Sequence, residues 1–298
     1  MIHVGILNYA RSRYLWWALV TIAASVALYA SQRGLQPPNG GTWQGYVLGT
    51  AGALLIVWLA LLGVRKRRYR STLGTVQGWT SAHVYLGSAL LVVATLHSAA
   101  QLGLNVHTLA YALLCAVIFS GFYGVFTYVN YPHLINANRA GLSRAELFAE
   151  LYELDRRGRE LAAKAPHAVS VAARSSIERT SIGGGLIAQL FGKDRSQIIR
   201  DSDDSDDSGG GHVTSNRDQE SVIQFIAEHI PRTSKIAEAE LLQELLAVFC
   251  RRQAVLRRIA RDIRMQGWLR VWLFVHIPMT IALLVALAIH IVTTFMYW

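Results

Sequence analysis

Every carboxylate of this 298-residue chain falls between Glu146 and Asp262. Residues 1–145 and 263–298 carry none, and there the apolar residues gather into runs long enough to cross a hydrocarbon layer about 30 Å thick. Backbone in lipid must satisfy its own polar groups, so each run is expected to be a helix. The runs cover about residues 14–30, 46–64, 81–102, 108–129 and 271–298. The expected fold class is therefore all-α: a polytopic membrane protein, a five-span helical bundle. A cytoplasmic, largely helical insertion at 131–270 separates spans four and five.

The first span has the look of a signal peptide, with a positive flank and an apolar body. No A-x-A site follows it, so it reads as a retained anchor. Residues 31–45 are a loop rich in Gly, Pro and Asn. The second span is stopped by RKRRYR at 65–70, which the positive-inside rule assigns to the cytoplasm. Short connections then place the N-terminus inside and the C-terminus outside, as in a bacterial inner membrane protein with a periplasmic C-terminus. The third and fifth spans run parallel in this topology. The formal net charge of +10 follows from basic loops beside the membrane; no nucleic-acid motif accompanies it, so no nucleic-acid partner is expected. Cys115 and Cys250 are too few and too far apart for a disulfide framework or a CxxC site.

Within the insertion, Ser143 and Glu146 form a capping-box signature that opens a helix to about residue 165. After GGG at 183–185, the apolar piece LIAQLF is a candidate for touching the membrane surface. Residues 201–217, which begin DSDDSDDSGGG, have the composition of a disordered linker. A calcium loop is disfavoured there, because the Asp-Gly-Glu pattern is missing. From about Ser234 to Gln266, Leu241, Leu242, Leu245, Phe249, Val255, Leu256, Ile259 and Ile263 recur at helical spacing. That helix either rests against the inner leaflet or continues into the last span.

With no acids at membrane depth, the histidines are the main polar groups there. A carboxylate-lined proton path and a dimetal carboxylate site are both excluded. His83 and His97 are fourteen positions apart, and so are His276 and His290. At about 100° per residue that is roughly four turns, which brings both rings of a helix to one face, about 21 Å apart along the axis. On parallel helices, His83 then shares an inner depth with His276, and His97 an outer depth with His290. A lone membrane histidine is as often a packing residue as a ligand; matched spacing on two helices favours two bis-imidazole sites, for which haem iron is suited. Zinc usually takes four protein ligands, whereas each depth offers two. Gly87, one turn after His83, is a candidate for admitting a flat macrocycle; Arg270 and His107 are candidates for propionate contacts. Thr80, Ser98, Thr280, Thr293, Thr294 or backbone carbonyls are candidate partners for the second ring nitrogens. Tyr85, Phe119, Phe122, Phe274 and Leu284 are candidate walls.

The four histidines, together with GFYGVFTYVNYP at 121–132 and the LSRAEL that follows, resemble the bacterial membrane dihaem cytochromes b and the ferric-reductase-like transmembrane group. The likeness covers the five spans. It implies two non-covalent haem b groups, held by His83 and His276 inside and by His97 and His290 outside. It also implies electron transfer across the bilayer as a subunit of an oxidoreductase complex, with a quinone or a cytoplasmic or periplasmic redox partner at one end. Ferric-reductase members add a flavin and nicotinamide domain; the insertion has no GxGxxG, so a separate subunit would deliver such electrons. The competing expectation is a non-catalytic membrane anchor whose insertion recruits a cytoplasmic partner.

Overall fold

The computed structural model describes residues 5–32, 39–68, 72–191, 194–200 and 212–296. The protein is of the all-α class, with about 82% of it in helix and almost no sheet, and five of its helices are long and apolar enough to cross a membrane. It divides into two compact units, Met1–Asn130 with Arg270–Trp298, and Tyr131–Leu269.

The first unit contains α1 (Arg13–Ala30), α2 (Trp43–Arg67), α3 (Val76–Ser98), the first part of α4 (Val106–Arg139) and the last part of α9 (Ile236–Met296). Thr42 and Thr75 cap α2 and α3, their hydroxyls accepting from the amides of Gly45 at 3.1 Å and Gly78 at 3.0 Å. Each such cap is worth about 1 kcal/mol. The Thr75 cap starts the third span five residues before the expected position 81. The span ends at Ser98, short of 102, because Ala99 and Ala100 turn into the left-handed region at φ 48° and 55°. A segment at Ile6–Ser12 folds back on α3: the Thr75 hydroxyl donates to the Tyr9 phenol, and the Tyr85 phenol donates to the Leu7 carbonyl.

Lipid tails are as apolar as leucine, so these helices associate through close packing rather than through water exclusion. Along α3 most of the buried positions are small, namely Gly78, Ser81, Ala82 and Ala89, and its backbone runs within 8 Å of α1 and α2 over long stretches. The backbones of α4 and α9 do not come as close to the other spans. The gap is bridged at mid-depth by a layer of larger side chains: Ile56 and Leu59 of α2, Leu90 of α3, Leu114 and Ile118 of α4, and Leu283 of α9.

The second unit packs α5 (Arg144–Ala162), α6 (His167–Glu178), α8 (Glu220–His229) and the earlier part of α9 around Leu161, Val169, Ile177, Val222, Ile226, Leu242 and Phe249, and it also contains the short α7 (Leu186–Phe191). The capping box opens α5, with both the Ser143 and the Glu146 bonds formed. The amphipathic segment and the last span are one helix, α9, which resolves the two alternatives left by the sequence.

The expected linker at 201–217 is corrected at its end. His212–Ser215 is a strand, β2, paired antiparallel with β1 (Gln197–Arg200). Asn216 accounts for this. Its amide donates to the Ser196 carbonyl at 2.8 Å, and its side chain donates to Ser176 Oγ and accepts from the Val222 amide. These bonds hold the chain where composition alone predicts none. The acidic run at 201–211, and with it the calcium alternative, lies outside the described residues.

At the centre of this unit Arg252 is 1% exposed. Its guanidinium donates to Asp155 Oδ1 at 2.6 Å, Gln219 Oε1 at 2.6 Å and Thr180 Oγ1 at 2.9 Å. A buried charge is tolerable only when its donors are met in this way.

Candidate functional site

The four membrane histidines are half-buried in the first unit, and each has its Nδ1 engaged. His83 Nδ1 lies 3.1 Å from the Leu59 carbonyl of α2, and His97 Nδ1 lies 2.8 Å from the Gly45 carbonyl of the same helix. A carbonyl only accepts, so both rings carry their proton on Nδ1 and present Nε2 as a free lone pair. His276 Nδ1 is 2.7 Å from Ser120 Oγ of α4, and His290 Nδ1 is 2.5 Å from His107 Nδ1. In all four, one nitrogen is fixed by the protein and the other is left over. That is the arrangement an imidazole ligand needs.

The rings lie at two levels along the helices. At the outer level the centroids of His97 and His290 are 6.0 Å apart, with planes 85° to each other. Two imidazoles sharing one metal, each through a bond of about 2 Å, have centroids roughly 6 Å apart. At the inner level His276 lies within electrostatic reach of His83, and Lys66 of α2 within reach of both. The mid-depth apolar layer separates the levels. Among the described residues, no group of three or more His, Cys, Asp or Glu is arranged to hold a metal ion. A metal held by a macrocycle with four nitrogens of its own would ask the chain for two imidazoles per level.

Glycines shape the ring positions. A Cβ at Gly49 would lie 2.7 Å from His97 Cε1, and one at Gly40 would lie 3.4 Å from the same atom. The His97 ring thus occupies space that only glycine leaves open. At Gly124 a Cβ would fall 2.0 Å from Trp272. Trp272 Nε1 donates to the Ser120 carbonyl at 2.7 Å, and its ring lies 5.4 Å from that of His276.

Several candidates from the sequence take other positions. Gly87 faces α2, where an added Cβ would meet Leu59 Cδ1 at an ordinary 3.9 Å; no close approach requires glycine there. Arg270 is exposed at the start of the last span. Arg65, from the basic cluster, is buried and donates to the Arg68 and Gly74 carbonyls, bracing its own loop. Thr280 donates to the His276 carbonyl, and Thr293 and Thr294 to the His290 carbonyl, not to the rings. Thr80 and Ser98 likewise bond to carbonyls of their own helix. Phe119, Phe122 and Phe274 are 60%, 44% and 78% exposed and face outward. Tyr85 is turned to the N-terminal segment, and Leu284 packs on the mid-depth layer. His107, expected at the outer boundary as a propionate contact, is brought onto the His290 ring itself, with centroids 4.5 Å apart.

Sequence reasoning missed Ser120, Gly49, Gly40 and Trp272 as parts of the site. The spacing of Gly45 and Gly49, one turn apart on α2, was the available signal for a helix face opened to a ring.

Comparison of the chain with family models, with curated proteins and with solved structures returned no match.

Proposed function

We propose that this protein is the cytochrome b subunit of a membrane oxidoreductase complex, carrying electrons between two b-type haems at different depths. The observation that carries the reading is the outer pair. His97 and His290 stand edge-on with centroids 6.0 Å apart, and each has its Nδ1 engaged by another group of the protein. Bound haem b would supply reversible one-electron carriage at each level.

The chain's own part is to hold and insulate. The carbonyls of Leu59 and Gly45 fix the tautomer and orientation of His83 and His97. Ser120 and His107 hold the orientation of His276 and His290. Hydrogen bonding at Nδ1 raises the electron density of the free nitrogen, which strengthens it as a ligand. The leucines and isoleucines between the levels exclude water, and the membrane portion has no carboxylate to carry protons.

By the charge bias of residues 65–68, the N-terminus lies in the cytoplasm and the C-terminus in the periplasm of a bacterial inner membrane. The second unit is then the natural docking surface for a cytoplasmic redox subunit. A quinone is the natural partner at membrane depth.

The test is the absorbance spectrum of the detergent-purified protein. Reduction with dithionite is expected to give a b-type alpha band, and pyridine extraction about two haems per chain. Replacing His83 or His276 with Ala should remove the inner haem, and replacing His97 or His290 the outer one. Folded protein that contains no haem would favour the anchor reading.

A further inference from the structure

The second unit leaves an apolar surface uncovered at α7. In α7, Ile187 is 77% and Phe191 68% exposed, while Leu190, between them on the other face, is 8% exposed. Leu190 lies against Gly267 of α9, where an added Cβ would come 3.3 Å from its Cδ2. Glycine at 267 is what lets the short helix lie down on α9. The turn that delivers α7 there runs through Gly183 and Gly184, at φ 87° and 115°, conformations that favour glycine. Phe191 stands edge-on to the indole of Trp268, with centroids 5.7 Å apart. Arg261 and Arg264, two turns and one turn before Trp268 on α9, are exposed.

We propose that α7 and Trp268 form a foot that sits in the headgroup layer of the membrane, on the side of the second unit. The patch is continuous in sequence with the membrane portion: Trp268 precedes the carboxylate-free last span by three residues. Indole rings at the ends of spanning helices settle at headgroup level, where an apolar face and a polar N–H are both accommodated. Phe191 packs on that ring and so shares its depth. Ile187, one turn earlier, extends the same apolar face. Arginines flanking an apolar face match anionic headgroups. The foot fixes the start of the last span at the surface, independently of whether haem is bound.

The test uses the full chain in nanodiscs of phosphatidylcholine and phosphatidylglycerol, in a Cys115→Ala, Cys250→Ala background. A bimane label is placed at Ile187→Cys, at Phe191→Cys, or at Tyr152→Cys, an α5 position that is 66% exposed. Brominated lipid is expected to quench the labels at 187 and 191 several-fold more than the label at 152, and aqueous iodide the reverse. Because Ile187 is the more exposed side chain, its replacement leaves the packing on Gly267 and Trp268 in place. Iodide quenching at 187 equal to that at 152 would overturn the proposal. So would shielding from both quenchers, which would mean that protein covers the patch.

Discussion

His107 Nδ1 stands 2.5 Å from His290 Nδ1. One ring donates to the other, so the orientation of His290 is held by a second histidine from the start of α4. Substituting His107 by Ala removes that partner and leaves His290 free to rotate. The expected result is a loss of outer-haem retention of about 10-fold or more, read as a fall towards half the haem content with the inner haem intact. His107→Gln, which keeps a polar group in reach, is expected to restore part of it. Unchanged haem content and spectrum in His107→Ala would show that the contact does not orient the ligand.

The glycines of the site make opposite predictions. Gly49→Ala puts a methyl 2.7 Å from His97 Cε1, so the ring must move, and the outer haem should be lost or its low-spin EPR signal shifted. Gly87→Ala meets only an ordinary contact with Leu59 and is expected to leave both haems in place. A spectrum for Gly87→Ala as disturbed as that for Gly49→Ala would contradict this assignment of which glycine is required.

Ser120 tests the inner level separately. Its hydroxyl lies 2.7 Å from His276 Nδ1. Ser120→Ala should weaken inner-haem retention by about 10-fold and leave the outer haem unchanged. Haem titration of the apoprotein, followed at the alpha band, measures both. Equal weakening at the two levels would mean that the serine supports helix packing and not the ring.

In the second unit, Arg252→Met removes the charge that faces Asp155 and leaves that carboxylate without its partner. Breaking a buried pair from one side costs about 3 kcal/mol or more. Thermal unfolding should therefore shift down markedly, while haem content stays near wild type. The double substitution Arg252→Met, Asp155→Leu should recover a good part of the loss. No recovery would show that the guanidinium matters for Gln219 and Thr180 more than for its charge partner.

The helices and the histidine register were legible in the sequence because both rest on periodicity, and a helix converts spacing into position without further information. The partners of the rings were less legible. A carbonyl such as that of Leu59 or Gly45 has no residue identity, so nothing in the letters distinguishes it from its neighbours. Threonines near the histidines were attractive by proximity, yet in a helix their hydroxyls reach the carbonyl three or four residues back and are spent there. The aromatic walls failed for a related reason: Phe119 and Phe274 satisfy lipid as well as they would a macrocycle, and composition cannot choose between the two. The strand at 212–215 was hidden because one residue, Asn216, holds it from outside the acidic run.

The side chains of Ile56, Leu59, Leu90, Leu114, Ile118 and Leu283 make a thin dry partition across the middle of the bundle. A membrane voltage concentrates across such a low-dielectric section rather than across the wetter levels on either side. Any charge that passes from one histidine level to the other does electrical work there, up to about 2.3 kcal/mol per elementary charge for each 100 mV if the full potential is traversed. If the two levels carry haem as proposed, the balance of charge between them would be tied to how strongly the cell has energised its membrane.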